Sequence, residues 1–216
     1  MIILSWAYLL SGAGMPAMAG MNASLATLFA MWVAMMVAMM LPSAAPAILL
    51  YARVHRHSVE GRAPPTMAFL AGYIACWAGF SAVAASLQLA IASPASMALD
   101  SRVISGALLV AAGLYQLTPF KNACLSRCRS PAEFISRHYR PGASGAFRLG
   151  LLHGAYCVGC CWLLMALLFV GGVMNILWIG GLTLLVAAEK LLPKGEWIAR
   201  IAGVALIGWG AILIAG

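Results

Sequence analysis

Charge is what this chain has least of. Only 8% of its 216 residues are Asp, Glu, Lys or Arg, against about 25% in an ordinary soluble domain. So few charges cannot cover a folded surface that faces water, which excludes a soluble globule, and such an apolar chain is not an intrinsically disordered one. Acidic residues are the scarcest, five in all. No carboxylate stands out as an intramembrane proton carrier, which argues against an ordinary proton-driven pump. A phosphate-binding loop, a nucleophile elbow and a His-Glu-x-x-His motif are missing too, so no ATP-driven or hydrolytic chemistry is expected. Six cysteines do not make a disulfide-rich secreted scaffold. No period-two alternation marks strands.

What remains is apolar: 64% hydrophobic residues and a mean hydropathy of +0.97. At about 20 residues per span, the runs at 1–13, 24–51, 67–92, 103–119, 147–170, 174–192 and 197–214 predict an all-α fold. The expected architecture is a polytopic membrane helix bundle forming one domain over 1–216, with six full transmembrane helices and a short N-terminal seventh. That first run has two further readings. It can lie in the interface, or it can be a signal peptide with Ala17-Met18-Ala19 as the small-x-small site, although no Lys or Arg precedes it.

The net charge of +8 is then a topology signal. Arg53, Arg56 and Arg62 follow the second run. Lys121, Arg127, Arg129, Arg137, Arg140 and Arg148 follow the fourth, and Lys190, Lys194 and Arg200 surround the break before the last. Twelve of the thirteen cations thus share one side, with Arg102 opposite. The positive-inside rule puts the loops at about 52–66, 120–146 and 193–196 in the cytoplasm and the C-terminus outside, as in a bacterial inner-membrane protein. No nucleic-acid partner is implied. The bilayer is the expected environment, and a cuproprotein or a membrane enzyme the expected class of protein partner.

Three clusters carry soft ligands. His153, Cys157, Cys160 and Cys161 fall within about 100° of arc on one helix, with Gly154 and Gly159 allowing a neighbour to approach closely. His153 and Cys161 lie about 12 Å apart along the axis, so one ion takes two or three ligands from this helix and the rest from another. Packing cysteines are the alternative reading. In the second run Met31, Met35 and Met39 form a ladder at i, i+4, i+8, and Met36 with Met40 forms an adjacent rung; Met is equally a filler of apolar helices. Met35, Met36 and Met39 share a depth with Cys76 and the 157–161 cysteines. Met15, Met18 and Met21 make an outer set. Cys124 and Cys128 sit four apart in the basic 120–146 segment, where Lys121, Arg127 and Arg129 are expected to favour thiolate; incidental loop cysteines are the alternative.

Thiolate and imidazole suit Cu(I) and Zn(II) alike, whereas thioethers bind Cu(I) and hardly bind Zn(II), so copper is the expected ion and zinc the lesser one. Other polar residues read more simply. His55 and His57 read as solvated loop residues, Glu189 beside Lys190 as a local ion pair or a snorkelling pair, and Asp100 and Arg102 read similarly at the opposite face. Tyr115, Gln116 and Asn175 are interhelical hydrogen-bond partners. Pro42 and Pro46 bend the second helix, either opening a cavity beside the Met rungs or serving packing alone.

The stretches MWVAMMVAMMLPSAAPAILLYARV (31–54), GLYQLTPFKNACLSRCRSP (113–131), LGLLHGAYCVGCCWLLMALLFVGGVMN (149–175) and EKLLP (189–193) resemble a bacterial domain-of-unknown-function family of predicted metal-binding integral membrane proteins. Family members start with a longer first helix than this chain. The resemblance implies a metal-associated membrane protein and brings no established reaction. Three functions compete: non-enzymatic Cu(I) handling as carrier, chaperone or insertion factor; a structural or assembly subunit of a larger membrane enzyme complex; and a membrane thiol–disulfide oxidoreductase. No cysteine lies in an outward loop, which counts against the last.

Overall fold

The computed structural model describes residues 2–10, 24–58, 65–91, 99 and 101–216. Among these residues every regular element is a helix. In chain order they are α1 (Ile2–Leu10), α2 (Leu25–Ser58), α3 (Thr66–Ile91), α4 (Arg102–Gln116), α5 (Pro119–Arg129), α6 (Pro131–His138), α7 (Gly142–Ala166), α8 (Leu168–Gly171), α9 (Ile176–Leu191) and α10 (Gly195–Ala215). Four segments, 25–54, 66–90, 142–171 and 195–215, are long and apolar enough to cross a membrane, and the bent pair α4–α5 makes a fifth if taken as one span. Among the described residues, the expected count of six full spans plus a short seventh is not confirmed. Helix α1 has nine residues, and α9 has 16, about 24 Å of helix against a hydrocarbon core of about 30 Å.

Polarity is distributed as in an apolar solvent. Leu177, Ile212, Leu184 and Ile201 are largely exposed, while Gln88, Gln116, Lys121, Glu189 and Lys190 are buried. Large apolar side chains left exposed while charged ones are buried fit an apolar surrounding.

Two glycine seams hold the bundle together. On α7, Gly150 and Gly154 lie against α3, where a Cβ on Gly150 would strike the Phe69 carbonyl and one on Gly154 would come within 2.7 Å of Cys76 Cβ. Gly72 of α3 answers them against the backbone of Phe147. The second seam pairs Gly106 and Gly113 of α4 with Gly203 and Gly210 of α10. Backbone-to-backbone packing over small residues is the kind of helix contact that needs no hydrophobic drive, as helices long and apolar enough to cross a membrane require.

The 120–146 segment, expected as a loop, is mostly helical. Thr118 caps α5 by accepting from Lys121 N, with Pro119 at the first helical position. The axis bends by 65° between α4 and α5, which turns α5 back against α7. The expected loop at 52–66 is also partly helical, because α2 runs unbroken to Ser58.

Pro42 and Pro46 lie inside α2. Pro42 has no N–H for the carbonyl of Ala38 four residues earlier, and Trp6 Nε1 of α1 donates to that carbonyl at 3.2 Å. The short first helix thereby satisfies the backbone group that the proline leaves free. A cavity of about 550 Å³ does adjoin the prolines, lined by Pro42, Ala45, Pro46, Leu49, Leu50, Arg53 and Pro131. Its walls include no methionine.

Candidate metal centre

The face of α7 derived from sequence points inward: His153, Cys157, Cys160 and Cys161 are each at most 2% exposed. The close approach at Gly150 and Gly154 draws α3 onto this helix and brings Tyr73 beside Cys157.

Cys157 is the most heavily contacted thiol. Its Sγ lies 2.9 Å from Lys190 Nζ on α9 and 3.1 Å from the Tyr73 hydroxyl on α3. Lys190 also reaches Ser43 Oγ on α2 at 3.4 Å. Tyr73 and Ser43 both lie within hydrogen-bonding distance of the Met40 carbonyl, at 3.2 and 3.0 Å. Helices α3, α7 and α9 therefore meet at this sulfur, and α2 joins them through Lys190 and Tyr73.

Cys161 Sγ lies 3.8 Å from Met40 Sδ. Two sulfurs at that separation can both reach one ion at a metal–thiolate bond length of about 2.3 Å. The Cys160 and Cys161 thiols donate to the Cys157 carbonyl at 3.1 and 3.0 Å. Cys128 of α5 packs against the core cluster that holds Cys157, Cys160 and Cys161. Cys124 packs at Gly159, where a Cβ would meet its Sγ at 3.0 Å. The bend before α5 thus brings the second cysteine pair to the first, which spacing along the chain does not reveal. Cys128 is half-buried and Cys124 buried.

As they stand, the sulfurs are neighbours and not a closed cage. Among the described residues no group of three or more His, Cys, Asp or Glu side chains is arranged to hold a metal ion. Met thioethers fall outside that set, and two of the thiols are turned toward a backbone carbonyl.

The other candidates fall elsewhere. His153 is packed among the rings of Phe69, Tyr73 and Phe134, at centroid separations of 6.1, 5.9 and 5.2 Å, and its Nδ1 has no hydrogen-bond partner among the described residues. Cys76 is half-buried and lies along Gly154. Met31, Met35, Met36 and Met39 are buried in the same core as the α7 cysteines, but the sulfur contact is made by Met40. Met15, Met18, Met21 and Asp100 lie outside the described residues, as do the side chains of His55 and His57.

Two charge readings are corrected. Glu189 does not pair with Lys190; it pairs with Lys121 at 2.6 Å and accepts from Gln116 Nε2 at 2.7 Å, all three buried. Nor do the cations flanking Cys124 and Cys128 serve those thiols. Lys121 is held by Glu189, Arg127 lies 3.9 Å from Glu133, and Arg129 binds the Leu192 and Pro193 carbonyls and faces Glu196. The cation that meets a thiol is Lys190. Tyr115 does bond across helices, to the Gly159 carbonyl, whereas Asn175 caps its own helix by accepting from Trp178 N.

A sulfur-rich core of this kind suits a soft ion, and a family model agrees. Residues 29–213 match the model of PpoB2, described as a copper chaperone. The chain belongs to the PpoB2 copper chaperone family. No curated protein and no solved structure matches it significantly. The matched span contains all six cysteines, the Met31–Met40 ladder and the Lys121–Glu189 pair.

Three contributors to this centre escaped sequence reasoning as candidate ligands or partners: Met40, Tyr73 and Lys190. Met40 was visible as a rung partner of Met36. Lys190 carried a signal of its own, a cation in an apolar helix, masked by the adjacent glutamate.

Proposed function

We propose that this protein is a membrane-embedded Cu(I) chaperone. The observation that carries the reading is the meeting of Cys157, Cys160, Cys161, Cys128 and Met40 in one buried core. Cys157 and Cys161, four apart on α7, supply two thiolates, and Met40 supplies a neutral thioether from α2. Loss of the Cys161 proton ends its bond to the Cys157 carbonyl and leaves the sulfur where it stands, 3.8 Å from Met40 Sδ. Binding of Cu(I) to two thiols releases their two protons. Soft ligands of this kind select Cu(I) over harder ions.

Cys160, Cys128 and Cys124 form the next step, a ligand-exchange route toward the basic face, which we place in the cytoplasm of a bacterial inner membrane. Transfer down an affinity gradient needs no nucleotide. The recipient is a cuproprotein, or a membrane enzyme during its metallation. His153, Cys76 and the Met31, Met35, Met36 and Met39 ladder support this core by packing, and no catalytic role is assigned.

The test is Cu(I) loading of the reduced, detergent-purified chain followed by desalting and metal analysis. Stoichiometric retention by the wild type and its loss in Cys157→Ser plus Cys160→Ser support the reading. Substoichiometric copper unaffected by the double substitution overturns it.

A further inference from the structure

The thiol core contains its own cation. Lys190 is 7% exposed, and its ammonium contacts Cys157 Sγ at 2.9 Å and Ser43 Oγ at 3.4 Å. No carboxylate among the described residues answers it. Glu189 is held by Lys121 and Gln116, and Glu133 and Glu196 face arginines near the surface. A lone ammonium in an apolar interior costs several kcal/mol unless it is balanced, and an ionisable side chain at such a place marks function by default.

We propose that Lys190 sets the valence selectivity of the site, admitting a monovalent soft ion and rejecting a divalent one. This inference rests on the Cu(I) reading above and adds to it which charge the site accepts. Two thiolates from Cys157 and Cys161 carry two negative charges, and the Met40 thioether carries none. The ammonium cancels one of them, and Lys121 with Glu189 is neutral as a pair. A monovalent ion then brings the whole assembly to zero. A divalent ion that replaces the same two protons leaves the net charge as it was, with the ammonium still uncompensated, so it gains none of this relief. The thiols lose their protons to water on binding, and the ammonium keeps its own.

Thiolate softness alone does not provide this discrimination, because thiolates also bind Zn(II) tightly. Arg at this position keeps the charge, whereas Met keeps the apolar bulk and removes it. Removing the charge makes the two-thiolate site neutral with Zn(II) and negative with Cu(I), so the preference moves toward the divalent ion.

The experiment is competition titration of the full chain in detergent, under reductant, with Cu(I), Ag(I) and Zn(II) against chromophoric chelators, for wild type, Lys190→Met and Lys190→Arg. Expected is a fall in Cu(I) and Ag(I) affinity of about tenfold or more in Lys190→Met, the scale of one lost unit charge a few ångströms away, with Zn(II) affinity falling less or not at all. Lys190→Arg keeps the wild-type order. An unchanged Cu(I)-to-Zn(II) preference in Lys190→Met overturns the inference, as does an equal loss of both ions. If Lys190→Met is not monodisperse, Lys190→Gln, which also lacks the charge, is read by the same criteria. A wild type that binds no Cu(I) overturns the copper reading and this inference together; a wild type that binds while Lys190→Met keeps its preference overturns this one alone.

Discussion

Glu189 turns away from its sequence neighbour and pairs with Lys121, 68 positions earlier, at 2.6 Å in the protein interior. That pairing locks α5 against α9 and leaves Lys190 to the thiols. The side chains involved are 0% and 2% exposed, so breaking the pair strands a buried charge. Lys121→Met or Glu189→Leu alone is expected to cost about 3–5 kcal/mol, while the double variant recovers most of it. Thermal unfolding in detergent reads the difference, and a single variant as stable as wild type refutes the account.

Met40 and the rest of the ladder are separable. Met40→Leu conserves volume and should cost under about 1.5 kcal/mol of stability, yet weaken Cu(I) retention by roughly tenfold through loss of a soft ligand. Met31→Leu, equally buried, should leave retention unchanged. Equal losses in both variants assign the whole ladder to the ion.

The thiol relay reading makes a different prediction from the chaperone reading. All six cysteines are free. Alkylation under denaturing conditions, without reductant, of protein from aerobically grown cells should therefore label all six. A reproducible shortfall of two labels indicates a disulfide and favours redox chemistry.

The glycine seam between α3 and α7 sets how closely Tyr73 approaches Cys157. Gly150→Ala places a methyl against the Phe69 carbonyl and should destabilise by about 1–3 kcal/mol, as overpacking does. Gly79, also helical, has open space at its Cβ, and Gly79→Ala should be neutral or stabilise by about 0.5–1 kcal/mol. Equal unfolding temperatures for the two variants remove the seam from the argument.

The Trp6–Ala38 bond exists because Pro42 has no N–H. Trp6→Phe should cost about 1 kcal/mol in the wild type. It should cost less in Pro42→Ala, where the backbone N–H restored by the substitution can bond the Ala38 carbonyl instead. Additive losses across that double-mutant cycle reject the link.

The inward face of α7 was legible because helical periodicity is local: four positions over nine residues define one arc whatever the helix packs against. Composition likewise determined the helical class and the apolar surface, since so few charges cannot satisfy water. The copper preference followed from sulfur chemistry, and the family match agrees with it in general terms.

Partner choice was decided only in three dimensions. Adjacent residues on a helix point about 100° apart, so Glu189 and Lys190 face different neighbours, and the rotation of α9 assigned one to Lys121 and the other to Cys157. The 65° bend after Gln116 turned an expected loop into the helix that brings Cys128 to the core. Which methionine meets a thiol followed from where α2 lies along α7, which sets Met40 beside Cys161. Residue type and spacing carry local geometry, whereas the meeting of distant side chains depends on helix rotation, bend and depth, and those are set by packing across the whole bundle.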